Sequence, residues 1–213
     1  MNETLNFLVG IAMGLNLLAL GSSRLPSLIR TVAAQGVTLG VMPLLIEHRL
    51  EWPVVLVACA TVVGKGWVIP SLLRRAMRTA NIDREIEPFL GFVPSLLLGA
   101  GGTIAAVALS RALPLLPEHV GSMLVPGALA SVLTGFVLLI GRTKAISQVC
   151  GYLILENGIY LFGLLLIQAT PMLVDAGILL DVTVGIFVIG IIVDRIQRAF
   201  DSLDTRKLTV LRE

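Results

Sequence analysis

Charge is what this sequence has least of. Of 213 residues only 14% are charged, against 56% hydrophobic, where a soluble domain carries roughly a quarter charged residues. A chain so poor in charge, with mean hydropathy +0.93, cannot clothe itself in a hydrated surface. Its net charge of +2 gives no basic field for nucleic acid, which is excluded as a partner. Cysteine and histidine are scarcer still, two of each. Cys59 and Cys150 fall inside apolar blocks and read as small buried hydrophobes, so no disulfide framework is present. His48 and His119 stand far apart in loops, with no metal-ligand spacing between them. There is no CxxC pair, no Ser/His/Asp constellation and no dinucleotide fingerprint. Nothing here points to redox chemistry or to a cofactor held by this chain. Residues 1–4 lack the basic start of a cleavable signal peptide, so the first apolar block is expected to remain as a membrane helix.

What is present is apolar sequence in long blocks. Seven of them, at 5–21, 28–46, 53–73, 89–109, 121–141, 145–168 and 172–193, are each about the 20 residues that an α-helix needs to cross a bilayer. The expected fold is all-α, a multi-pass protein with seven transmembrane helices lying in lipid. Pro26, Pro53, Pro88, Pro117 and Pro171 mark block ends, where proline costs least. Pro43, Pro70, Pro94 and Pro126 fall inside blocks and predict kinks. Glycines such as Gly99, Gly101, Gly102, Gly177 and Gly185 allow close helix packing.

The basic residues set the orientation. Arg24, Arg30, Arg74, Arg75, Arg78, Arg84, Arg142, Lys144, Arg195, Arg198, Arg206, Lys207 and Arg212 fall on one side, and only Arg49 and Arg111 on the other. The positive-inside rule then places the N-terminus outside and the C-terminus in the cytoplasm. Trp52, at the outer end of the third block, suits the aromatic belt. Blocks one to three and five to seven share a layout, with the fourth between them. Sliding the chain by 121 positions aligns Gln35 with Glu156, Ala60 with Asp181, Gly64 with Gly185 and Arg74 with Arg195. This suggests a parallel 3+1+3 helix repeat at the level of hydropathy.

Three charges stand in the middle of blocks: Lys65, Glu156 and Asp181. An ionisable group at that depth is expensive, and by default marks a functional site. Desolvation disfavours the charged form of either type, bringing carboxyl and ammonium groups toward the working pH. Groups so tuned can take up and release protons. Glu156 is followed by Asn157 and flanked four residues away by Tyr152 and Tyr160, on one helical face. Either this face handles protons, or the tyrosines and Asn157 simply satisfy a neutral or statically paired carboxyl. Asp181, between Gly177 and Gly185, is either a second proton carrier or an interhelical hydrogen bond. Lys65, between Gly64 and Gly66, is a relay member or a static counter-ion, held by a carboxylate or water. A phosphate-binding loop is excluded there, because Cys59 replaces the first glycine and Gly66 the required hydroxyl residue. Asp175 and Asp194 lie near the two surfaces and are solvated.

The last three blocks resemble a known family. Arg142 closing one helix, then GYLILENGIYL, then LLDVTVGIFVIGIIVDRI, is similar to the three-helix K-type subunit of respiratory complex I. The related C-type subunit of multi-subunit cation/proton antiporters has a similar layout. Glu156 stands where that family has its first mid-membrane Glu. Asp181 stands where it has a second Glu, one methylene shorter here. The K-like part covers roughly 124–198; with four helices in front, the chain resembles the membrane component E of hydrogenase-4 and formate hydrogenlyase-type complexes. The resemblance divides the chain into a four-helix region at 1–120, a K-like three-helix region at 121–198 and a cytoplasmic tail at 199–213.

The resemblance implies a non-catalytic subunit of a proton-translocating hydrogenase or formate hydrogenlyase in a prokaryotic inner membrane. Glu156 and Asp181 would carry protons, with Tyr152, Asn157 and Tyr160 shaping the path; Lys65 joins this proton pathway on its mid-block charge alone, having no counterpart in the K-type pattern. Its partners would be antiporter-like membrane-arm subunits and a hydrogenase module holding the nickel–iron centre and iron–sulfur clusters. Two competing readings are a stand-alone secondary transporter and a structural membrane subunit whose buried charges are inert.

Overall fold

The computed structural model describes residues 3–46, 52–79, 86, 88–113 and 121–165, with the single positions 177, 183, 185 and 190. Among the described residues the chain is helical, with no strand; Pro88 and Arg142 pair in an isolated bridge. Helix α1 spans Glu3–Gly21 and α2 spans Leu25–Val41, continued after Met42 by the short α3, Pro43–Ile46. Helix α4, Trp52–Val63, runs through a π-helical turn, Gly64–Val68, into α5, Ile69–Thr79. Helices α6, α7 and α8 are Phe92–Ala112, Leu124–Gly141 and Ala145–Leu164. Five stretches are long and apolar enough to cross a membrane: Glu3–Gly21, Leu25–Ile46, Val54–Arg78, Phe92–Ala112 and Leu124–Gly141. Helix α8 is 20 residues long, and Gln148, Glu156 and Asn157 lower its hydropathy. The block at 172–193, with Asp181 in it, lies outside the described residues except for helical Gly177, Thr183, Gly185 and Gly190.

Two of the four expected proline kinks do not exist. Pro94 and Pro126 are each the third residue of their helix. The first turn has no intrahelical partner for its N–H groups, so proline there removes nothing. Pro43 does interrupt its helix, at the join of α2 and α3. Pro70 has no N–H for the carbonyl four residues back, that of Gly66, and its ring would press on it. The helix widens at that place instead, the Ile69 N–H reaching five residues back to the Gly64 oxygen. The helix also runs past the end of the third apolar block at residue 73, with α5 carrying Arg74, Arg75 and Arg78 on to Thr79. Cys150 is buried as expected, but Cys59 is exposed on the outer face of α4.

Hydrogen bonds at both ends fix how the helices run. The Met123 N–H donates to Asn6 Oδ1 at 3.0 Å, tying the starts of α1 and α7. At their far ends Arg142 Nη2 donates to the Leu20 oxygen at 2.6 Å, so α1 and α7 lie side by side in one direction. Helices α2 and α8 return beside them. The connection before α6 is strapped to this second end: Ile86 N–H donates to the Ser23 oxygen, and Phe89 and Leu90 N–H donate to that of Gly141. Arg24, Arg142 and Lys144 therefore gather at one end of the bundle. Helices α7 and α8 pack backbone to backbone. A Cβ on Gly135 would lie 2.6 Å from Leu155 Cβ, and one on Gly158 2.7 Å from the Val132 nitrogen. In lipid it is this close packing, rather than escape from water, that holds helices together.

The core is divided in two. Toward the basic end, Leu20, Leu25, Ile29, Val32, Ile69, Leu138 and Ile154 belong to one apolar cluster. Toward the other end, Leu5, Val9, Leu39, Val57, Leu124, Ala128 and Leu161 belong to a second. Following any of α1, α2, α4–α5, α7 or α8 from one cluster to the other, the chain passes through a polar residue.

Candidate functional site

The residues between the two clusters form a layer. Asn16 of α1, Gln35 of α2, Lys65 of the π turn, Ser131 of α7, and Glu156, Asn157 and Tyr160 of α8 are all buried, none more than 6% exposed. Their order along each helix explains the layer. Asn16 falls between Ala12 and Ala19, Gln35 between Val32 and Leu39, and Ser131 between Ala128 and Leu138. Each of these polar residues sits where its helix leaves one apolar cluster and enters the next.

Hydrogen bonds join the layer across five segments. Lys65 Nζ donates to Asn157 Oδ1 at 3.1 Å. Asn157 Nδ2 donates to Gln35 Oε1 at 3.1 Å, Gln35 Nε2 to Asn16 Oδ1 at 2.7 Å, and Asn16 Nδ2 to Ser131 Oγ at 2.9 Å. A buried polar group left without a partner costs on the order of 1–3 kcal/mol, and this chain supplies one to each amide. The ammonium of Lys65 also lies over the Tyr160 ring, 5.6 Å from its centroid, within the range of a cation–π contact.

Backbone shape brings Lys65 here. The π turn adds width to the helix and turns Lys65 into the bundle, leaving Trp67 73% exposed on the opposite side. Such wide turns are frequent at functional sites. Helix α2 meets the turn at Gly36, where a Cβ would fall 2.6 Å from Lys65 Cβ. No larger residue fits while the lysine stem passes.

Of the site residues expected from sequence, the structure gathers Lys65, Glu156, Asn157 and Tyr160. Tyr152 is half-buried, one turn nearer the basic end. Asp181 lies outside the described residues. Gly185, four positions after it, is beside the site: a Cβ there would stand 3.7 Å from Glu156 Oε2. None of Lys65, Tyr152, Glu156 and Tyr160 is without a partner. Lys65 was expected against a carboxylate or water, and one of its partners is a neutral amide oxygen. Asn16 and Ser131 were not singled out from the sequence, and Gln35 only as the repeat counterpart of Glu156. A lone amide or hydroxyl within an apolar block was the available signal.

Arg142 is a second buried cation, 2% exposed, stacked on Phe92 at 4.8 Å. It holds the last turn of α1 through the Leu20 carbonyl, where a helix presents its negative end. Burial lowers its pKa from the ordinary guanidinium value. Among the described residues no group of three or more His, Cys, Asp or Glu side chains is placed to hold a metal ion.

Long apolar helices enclosing a polar middle layer define a multi-pass α-helical membrane protein. The chain belongs to the family of the uncharacterized protein Rv0085 of Mycobacterium tuberculosis. The two are 34% identical over 218 aligned positions, covering 100% of this chain and 99% of the relative. It is also similar, at 27% identity over 170 positions, to hydrogenase-4 component E of Escherichia coli K12 and of Shigella flexneri. That match covers 78% of this chain and 74% of each relative. No family model and no solved structure matches the chain.

Proposed function

We propose that this chain is an integral membrane subunit of a complex I-related, proton-translocating hydrogenase or formate hydrogenlyase complex. Its contribution is the polar layer, in which Lys65 and Glu156 take part in moving protons. The observation that carries this reading is the layer itself, a buried ammonium and carboxyl group closed in by apolar clusters on both sides. Charges at that depth are costly in lipid and are kept where they are used. The similarity to hydrogenase-4 component E supplies the kind of assembly.

In this reading the chain has seven spans, with its N-terminus outside and its C-terminus in the cytoplasm of a prokaryotic inner membrane. The gathering of Arg24, Arg142 and Lys144 at one end supports that orientation. Residues 121–198 form the K-like unit, preceded by a four-helix region at 1–120 and followed by a tail at 199–213. Asp181 is the second carboxyl carrier, four positions before Gly185, whose backbone lies beside Glu156. Tyr152, Asn157 and Tyr160 line the path. The parallel course of α1 and α7, the first helices of the two halves, supports a parallel repeat. The chain is not itself a catalyst. The nickel–iron centre and iron–sulfur clusters reside in a partner hydrogenase module, and antiporter-like subunits adjoin this one.

Two measurements test the reading. Affinity purification from the native membrane should recover hydrogenase subunits with this chain; recovery alone or as a homo-oligomer would favour a secondary transporter. Glu156→Gln should leave the complex assembled and lower proton translocation in proteoliposomes, whereas unchanged pumping refutes the role of Glu156.

A further inference from the structure

The hydrogen-bond chain through the layer has a direction. An ammonium group carries hydrogens and no lone pair, so the atom of Asn157 that faces Lys65 is its oxygen. The Asn157 NH₂ then needs an acceptor and meets Gln35 Oε1. The Gln35 NH₂ in turn meets Asn16 Oδ1, and the Asn16 NH₂ meets Ser131 Oγ. Each amide is turned the way its predecessor requires. Only the Ser131 hydroxyl, which both donates and accepts, suits either sense.

We propose that Gln35 and Asn16 are positioning residues for Lys65. Acting through Asn157, they hold that amide oxygen toward the ammonium and so fix where the Lys65 charge rests. The inference builds on the reading of Lys65 as a working group, and it enlists α1, α2 and α7, which carry none of the mid-block charges. The amides are a brace and not a wire. An amide nitrogen does not readily give up or gain a proton, so a chain of them cannot pass one along. A proton leaving Lys65 therefore does not travel through the amides.

Substitutions at Asn16 separate positioning from ordinary packing. Asn16→Leu is apolar and of similar size, and by packing alone it suits a buried site better than Asn16→Asp. Positioning reverses that order. Asn16→Asp still accepts from Gln35 Nε2, while Ser131 turns to donate, and every amide keeps its sense. Asn16→Leu removes the acceptor and lets Gln35, then Asn157, turn over.

The readout is the Lys65 side-chain nitrogen. The sequence has three lysines, Lys65, Lys144 and Lys207. Solid-state NMR of the full chain in lipid vesicles, labelled with ¹⁵Nζ-lysine, therefore gives three signals, and Lys65→Arg identifies one. Asn16→Leu should shift or broaden the Lys65 signal alone, while Asn16→Asp should leave it in place. An unmoved signal in both variants, or equal displacement in both, overturns the proposal. Should Asn16→Leu fail to fold, the pair Gln35→Glu and Gln35→Met decides by the same ranking. The signal reports positioning whether or not the protein moves protons. A displaced signal with unchanged translocation by the parent complex supports the brace and removes the proton role.

Discussion

The contact between Gly36 and Lys65 gives the most direct test of how the site is assembled. In Gly36→Ala the new Cβ would start 2.6 Å from Lys65 Cβ, where ordinary contact begins at 3.4–4 Å. Helix α2 and the π turn must then part by about 1 Å, since both atoms are anchored near the backbone. The two bonds made by Asn157, to Lys65 and to Gln35, are each 3.1 Å long. An added ~1 Å takes either beyond the roughly 3.5 Å at which a hydrogen bond ceases to count. Overpacking of this kind costs about 1–3 kcal/mol, and an interhelical hydrogen bond in a membrane averages ~0.6 kcal/mol. For a chain of this size the sum corresponds to a Tm lower by roughly 5–10 °C. Thermal unfolding of the detergent-solubilised protein measures it. Gly40→Ala is the control for crowding, with its Cβ 2.8 Å from Val62 Cγ2 at the same interface. It should lose comparable stability without moving the Lys65 nitrogen signal. At Gly10 nothing lies within 4 Å, and Gly10→Ala should be neutral or stabilising by up to ~1 kcal/mol through helix propensity. If Gly36→Ala is as stable as Gly10→Ala, helix α2 does not meet the lysine-bearing turn as described.

Two further outcomes follow from burial. Arg142→Lys keeps the charge but loses the planar group that both bonds Leu20 and stacks on Phe92. A drop of about 2–4 kcal/mol is expected from the charge-assisted bond and the cation–π contact together, and a value within ~0.5 kcal/mol of the parent would refute the contact. Native protein in detergent should take up one maleimide, at Cys59, and a second at Cys150 only after denaturation, counted by mass spectrometry. Labelling of Cys150 in the folded protein would contradict its burial.

The sequence made some of this legible for physical reasons. A charge inside an apolar block is conspicuous whatever the packing, which is why Lys65, Glu156 and the adjoining Asn157 and Tyr160 stood out and are found together in the structure. Asn16 and Ser131 carry no charge and barely dent the hydropathy of their helices, so neither announced itself. The pairing of Lys65 with Asn157, 92 positions apart, depends on which helix neighbours which, and no periodicity encodes that. Block boundaries drifted because apolar residues continue into the turns. Placing helix starts a few residues early turned Pro94 and Pro126 into kinks when both belong to first turns. The π turn had a visible cause in Pro70, but its outcome depended on how the neighbouring backbone answered. Cys59 shows the opposite limit: in lipid an apolar side chain may face out as readily as in, so block membership does not report burial.

The strap from Ile86 to Leu90 has a mechanical consequence. It buttons the α1–α2 turn and the end of α7 together along one rim of the bundle. At the other rim a single described bond, between Asn6 and Met123, laces α1 to α7. With Arg142 also bonded to Leu20, the end of α7 and the α1–α2 turn share one seam, so a displacement of either is passed directly to the other.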